Sequence, residues 1–141
     1  MSRAGVVGER FGRRITLSRA SIRAFARMAG DGNPIHHDEE LAAKTRLGGI
    51  VASGPQMSSL LMGLTATRFS CGAGMLGLDF RFRFRRPARP DQELHLWWEI
   101  VAIHPKESLR GELVLLAGQA VDEQGTPLVK AVGKVLVVPE L

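Results

Sequence analysis

The sequence has little that would mark an exported or membrane-bound protein. Cys71 is its only cysteine, which excludes a disulfide within the chain and fits a reducing compartment. No apolar stretch approaches the roughly 18 residues that a membrane span requires, and the N-terminus lacks the apolar core of a signal peptide. We therefore expect a cytoplasmic protein with no membrane partner.

Motifs for metals and nucleotides are also missing. No group of cysteines and histidines has the spacing of metal ligands. Neither the glycine pattern of phosphate-binding loops nor that of dinucleotide-binding folds is present. We therefore expect no metal and no redox cofactor.

The chain has few acidic residues for its basic ones: 14 aspartates and glutamates against 19 lysines and arginines, a net charge of +5. A positive protein attracts acidic partners, and nucleic acid, the phosphates of coenzyme A and an acidic acyl carrier protein all qualify. The same charge can serve solubility alone. The 141 residues suffice for one domain with a buried core, so we expect a single domain over residues 1–141.

The stretch from Ser18 to Asp38 is predicted to be a helix followed by a rigid polar loop. Apolar residues recur on one helical face, at Ile22, Phe25, Ala26 and Ala29. Gly30 follows where a helix often ends in a left-handed residue. The loop then carries Asp31, Asn33 and His36, and a carboxylate held near an imidazole can move protons to and from water. Asx-Gly and Asn-Pro are also ordinary turn formers, and Asp38 can cap the next helix, so a plain turn is the alternative.

This loop resembles the hydratase motif of the MaoC-like, (R)-specific enoyl-CoA hydratases. That motif is an aromatic residue followed by Gly-Asp-x-Asn-Pro-aliphatic-His-x-Asp, matched here by Phe25 and the run Gly30-Asp31-Gly32-Asn33-Pro34-Ile35-His36-His37-Asp38. The resemblance implies that Asp31 acts as the base toward water and that His36 shares in proton delivery. It also implies that Asn33 orients the loop or the water. His37 is expected to be non-catalytic, and a structural, hydrogen-bonded histidine is the alternative for His36.

Gly54 is the candidate oxyanion site. It precedes an apolar stretch, Pro55–Arg68, which is predicted to be a helix buried almost all round. Unpaired N–H groups at a helix start favour negative charge, and a residue without a side chain lets a thioester oxygen approach. In the family a histidine precedes this glycine, whereas Ser53 stands here and Pro55 follows. Ser59 matches a family serine near the water site, with helix packing as the alternative.

The second half of the chain is predicted to be strands. Leu76, Leu78, Phe80, Phe82 and Phe84 alternate with polar residues, which predicts one strand with the apolar residues on a shared face. The arginines between them form a row on the other face, which can be solvated, contact phosphates or bind nucleic acid. Further strands are predicted around Leu94–Ile100, Leu113–Ala117 and Val129–Val137, as an antiparallel meander. This layout is that of the α+β hot-dog fold, an antiparallel sheet wrapped around a long central helix, and the family resemblance implies the same fold.

The resemblance implies a hydro-lyase of fatty acid metabolism that interconverts trans-2-enoyl and 3-hydroxyacyl thioesters. The substrate would be an acyl thioester whose coenzyme A or phosphopantetheine is part of the substrate. We expect a homodimer, because hot-dog subunits usually pair their sheets, and no nucleic-acid partner. Two alternatives stay open at this point: a hot-dog acyl thioesterase, and a non-catalytic subunit that binds acyl thioesters.

Overall fold

The computed structural model describes residues 3–141, and its five strands form one antiparallel sheet. The strands are β1 (Arg10–Thr16), β2 (Gly74–Phe84), β3 (Glu93–Lys106), β4 (Gly111–Val121) and β5 (Pro127–Val138). The helices are α1 (Arg19–Met28), α2 (Glu39–Lys44) and α3 (Gly54–Phe69), with short 3₁₀ turns at Pro34–His36 and Glu107–Leu109. In the sheet the strands lie in the order β1-β3-β4-β5-β2.

The strand order corrects two details of the predicted meander. β3, β4 and β5 follow one another, but β2 pairs with β5 instead of β3, because the connection through Pro87 and Pro90 carries the chain to the far side of the sheet. β1 comes from the first half of the chain, ahead of the predicted meander, and it pairs with β3 at the other edge. β2 and β1 are therefore the two edge strands.

Helix α3 lies on one face of the sheet and is buried on one side only. Ser53 caps it, accepting a hydrogen bond from the Gln56 N–H. The buried side includes Met57, Leu61, Thr65 and Phe69, which recur every four residues. The prediction of burial all round is wrong, since Met62 is 39% exposed and the small residues near it also face outward.

Trp98 of β3 fills the space between the sheet and α3. It is fully buried, and its indole N–H donates to the Leu61 carbonyl of α3 at 2.8 Å. Gly118 lies opposite it on β4, where an added Cβ would come within 2.5 Å of the indole ring. Gly133 of β5 similarly makes room for Phe80 and for the edge of the indole. The two glycines therefore allow a large aromatic residue to sit flat against the sheet and hold the helix.

Strand β2 contains a bulge that the alternation pattern did not reveal. The register with β5 shifts between Gly77 and Asp79, so that Leu78 is the extra residue. Phe80 and Phe82 pack on the core as predicted, but Leu76 lies on the opposite face and is 48% exposed. The prediction of one apolar face for the whole strand is wrong for this reason.

The remaining helical predictions are mostly confirmed. Ser18 caps α1 and Asp38 caps α2 through their side-chain oxygens. Ala42 of α2 is buried, whereas its neighbour Leu41 is 41% exposed. Within residues 3–141, no helix combines the length and the hydropathy needed to cross a membrane.

Candidate active site

The loop after α1 is held by its own backbone and short polar side chains. Gly30 has φ +73°, which ends the helix and returns the Asp31 N–H to the Ala26 carbonyl at 2.8 Å. The Asp31 carboxylate accepts the Asn33 N–H at 3.0 Å, and the Asn33 side chain accepts the Ile35 N–H at 3.3 Å. Asn33 has an extended backbone, the conformation that a following proline favours. The loop therefore presents Asp31 and His36 in a fixed geometry.

The side chains of Asp31 and His36 converge. The His36 Nε2 lies 3.3 Å from Asp31 Oδ2. The imidazole is 6% exposed, whereas the carboxylate is 29% exposed. A partly exposed carboxylate beside a buried imidazole can receive water from one side and exchange protons with the ring on the other.

The contact made by Nδ1, the other ring nitrogen of His36, determines which of the two ring nitrogens can exchange protons. His36 Nδ1 lies 2.7 Å from the Val51 carbonyl oxygen. A carbonyl can only accept, so Nδ1 carries a hydrogen and donates it to Val51. Only Nε2, facing Asp31, remains free to gain or lose a proton.

His37 fastens the backbone of the same loop. Its Nε2 donates to the Asp31 carbonyl oxygen at 2.7 Å, which fixes the peptide next to the carboxylate without touching the carboxylate itself. The sequence prediction set His37 aside, and it assigned nothing to Val51. Every residue has a backbone carbonyl, so the sequence could not identify these two acceptors. The adjacent histidines were the only sign that a second imidazole holds the loop.

A cavity of about 400 Å³ lies against His36. Its walls are mostly apolar and come from the loop, the start of α3 and the end of β2, with Arg85 and Arg86 among the residues that line it. Neither arginine forms an ion pair within residues 3–141. Asp31 is not part of this cavity wall, but its carboxylate contacts His36, which is. An apolar cavity with a cationic border suits an acyl chain attached to an anionic carrier.

Gly54 lines the same cavity, at the first position of α3. Within the described chain, its N–H has no hydrogen-bond acceptor. A Cβ added at this glycine would come within 3.2 Å of the Phe84 ring, so a side chain here would crowd the cavity wall that Gly54 and Phe84 share. Ser53, which stands where the family has a histidine, serves as the helix cap.

The structure does not bring Ser59 to this site. Ser59 is exposed on α3 and is absent from the cavity wall, because it lies two residues, about 200° of helical rotation, from the cavity-lining Met57. Asn33 is also exposed and acts on the loop backbone. Residues 3–141 contain no group of three or more metal-binding side chains that could hold an ion.

The chain is similar to known proteins over most of its length. The profile of the MaoC-like domain matches residues 4–121. The 3-hydroxybutyryl-CoA dehydratase of Methylorubrum extorquens is 28% identical over 130 residues, covering 83% of this chain and 82% of the relative. The MaoC-like dehydratase from Rhodospirillum rubrum superposes with a TM-score of 0.80 at 31% identity, covering 95% of this chain and 92% of that one.

A further solved structure bears on the fold alone. The (R)-hydratase PhaJ1 of Pseudomonas aeruginosa has a TM-score of 0.83 at 24% identity, over 95% of this chain and 83% of that one. The predicted hot-dog fold, a five-stranded antiparallel sheet around a central helix, is thereby confirmed. Since the family profile covers most of its length, the chain belongs to the MaoC-like dehydratase family.

Proposed function

We propose that this protein is a hydro-lyase that adds water to trans-2-enoyl thioesters and removes it from (3R)-hydroxyacyl thioesters. The observation that carries the proposal is the 3.3 Å contact between His36 Nε2 and Asp31 Oδ2, beside a cavity that Gly54 also lines. The dehydratases to which the chain is similar, from Methylorubrum extorquens and Rhodospirillum rubrum, support the same reaction.

In the hydration direction, Asp31, His36 and the Gly54 N–H each have a separate role. The Asp31 carboxylate takes a proton from water as its oxygen bonds to the β-carbon. The electrons of the double bond move toward the thioester, and the Gly54 N–H, at the positive end of α3, stabilises the oxygen that becomes negative. His36, whose Nδ1 is committed to Val51, delivers a proton from Nε2 to the α-carbon. The pair is restored when a proton passes from Asp31 to His36 across their contact, and dehydration runs in reverse.

The reaction transfers no electrons to or from the substrate, so we propose no cofactor beyond the coenzyme A or phosphopantetheine of the substrate. Arg85 and Arg86 at the cavity are placed to meet the phosphates of that carrier. The exposed free thiol of Cys71 supports a reducing, cytoplasmic location.

The direct test is incubation of the protein with crotonyl-CoA while enoyl absorbance and free thiol are both recorded. We expect the absorbance to fall without thiol release, and the product to be (3R)-hydroxybutyryl-CoA on chiral analysis. Thiol release would instead identify a thioesterase, and no change in either signal with several chain lengths would indicate a non-catalytic binding subunit.

Gly54→Ala tests the oxyanion assignment. The new methyl group would press on Phe84, 3.2 Å away, and crowd the cavity wall at the proposed oxyanion position, so we expect kcat/KM to fall about tenfold or more. Helix stability should not decrease, because alanine is the better helix former. Gly63→Ala is the matched control, since a Cβ there meets nothing within 4 Å and activity should stay unchanged. Equal activity in the two variants would rule out a role for the Gly54 N–H.

We also propose that two copies pair through β2. This edge strand is 11 residues long with one unpaired side, and its exposed apolar residues include Leu78, 51% exposed, and Phe84, 54% exposed. Sedimentation should give about twice the 15.4 kDa of one chain. Leu78→Lys should shift the protein toward monomer, whereas Leu109→Lys, at an exposed turn between β3 and β4, should not. A monomeric wild-type protein at micromolar concentration would contradict the proposal.

A further inference from the structure

Four cationic side chains lie together on the sheet face that is turned away from α3. Arg81 and Arg83 of β2 and Lys130 and Lys134 of β5 form this group, which we call the cationic face. Arg83 lies directly opposite Lys130, and like charges opposite one another destabilise a sheet pair. None of the four forms an ion pair in the part of the chain that the structure describes, and Asp79, opposite Lys134, is the one acidic residue of β2.

Apolar side chains lie between and beside these cations. Val101 is 47% exposed and Val132 is 54% exposed, and both line a shallow recess of about 380 Å³ whose charged border is Arg81, Lys134 and Asp79. A second recess of about 330 Å³ adjoins it beneath Arg83 and Lys130. An apolar centre with a charged border is the arrangement of a protein interface.

The positive charges of the cationic face and the apolar residues between them fit some classes of partner better than others. A second copy of this chain docked here face to face would bring cations against cations, which costs free energy. Nucleic acid would use the cations but not the apolar residues between them, and Phe80 and Phe82 of β2, which could stack on bases, pack on the core instead. A helix of a partner protein that carries acidic residues and a row of apolar side chains would contact both the cations and the apolar residues.

The cationic face leads to the candidate active site. Strand β2 ends at Phe84, and the next residue, Arg85, lines the cavity beside His36. At about 3.3 Å per residue, Arg83 and Arg81 stand roughly 7 and 13 Å from Arg85 along the chain. A partner bound to the face would therefore lie next to the cavity.

We propose that the cationic face docks an acidic acyl carrier protein, which presents its acyl chain to the cavity. This inference rests on the proposed function, because it assigns the carrier of the same substrate. The preference for a carrier-protein substrate over a coenzyme A substrate would then depend on residues that contact neither the acyl chain nor the reacting atoms.

The test compares crotonyl-CoA with crotonyl groups attached to an acidic bacterial acyl carrier protein. In the double variant Arg81→Glu and Lys130→Glu, we expect kcat/KM for the carrier-protein substrate to fall about tenfold or more, because opposite charges are replaced by like charges. The value for crotonyl-CoA should change less than about twofold, since the face lies outside the cavity. The matched control is Arg13→Glu with Lys106→Glu, two exposed cations outside the face, and it should leave both values unchanged.

Binding measurements separate this inference from the proposed function. Calorimetry with the carrier protein lacking an acyl group should show binding that the double variant loses, whether or not the protein is an active hydratase. Turnover of crotonyl-CoA without carrier-protein binding, or an equal loss with both substrates, would overturn the inference alone. Binding of single-stranded DNA that the double variant abolishes, with no carrier-protein binding, would assign the face to nucleic acid instead.

Discussion

Asp31→Asn should lower kcat for crotonyl-CoA hydration about 10²- to 10⁴-fold, the usual contribution of a positioned acid or base. Asparagine keeps the size of the side chain and an oxygen for the Asn33 N–H, but it cannot take a proton from water. The thermal midpoint of unfolding should therefore stay within a few degrees of the wild-type value. The measurement is the steady-state rate of enoyl absorbance loss, alongside a thermal melt of each protein.

Asp38→Asn is the control for this variant, because it removes a carboxylate of the same motif. Asp38 caps α2 by accepting the Leu41 N–H, and asparagine caps helices equally well, so activity and stability should both persist. His36→Ala should match the loss seen with Asp31→Asn. If the two residues act on one water as a unit, the double variant should be no slower than the slower single variant. Wild-type rates in Asp31→Asn would remove the pair from the mechanism.

The parts of this protein that depend on local sequence were predictable. The caps at Ser18 and Asp38 and the left-handed Gly30 follow from residue types whose hydrogen bonding or backbone freedom is distinctive. The convergence of Asp31 and His36 followed from the resemblance of their motif, and the structure places the two side chains within 3.3 Å.

The parts that depend on tertiary packing were not predictable from pattern. Leu78 looks like any apolar residue in an alternating strand, yet the register of β2 against β5 makes it a bulge and turns Leu76 to the other face. The exposed side of α3 is as apolar as its buried side, so periodicity could not distinguish them. The Val51 carbonyl that fixes the His36 tautomer comes from a backbone atom, which every residue type supplies.

Trp98→Ala should lower the free energy of unfolding by about 3–5 kcal/mol, the range for removing a large aromatic residue from a core. The indole is fully buried over Gly118 and Gly133, which cannot fill the space left behind. The change also leaves the Leu61 carbonyl without the indole N–H, at the middle of the helix that positions Gly54. Urea unfolding at one fixed protein concentration measures this difference, because the stability of a protein that pairs as we propose would depend on concentration.

The adjacent tryptophan is the control for Trp98→Ala. Trp97 points to the opposite face of the sheet, where it is only partly buried and lies under the Arg10 guanidinium at 4.5 Å. Trp97→Ala should cost about 1 kcal/mol, the value of an exposed cation–π contact with some lost packing. The two adjacent tryptophans would then differ several-fold in their contribution to the free energy of unfolding, because only Trp98 joins the sheet to α3. An equal cost for the two variants would mean that the Trp98 contact with α3 does not hold the helix in place.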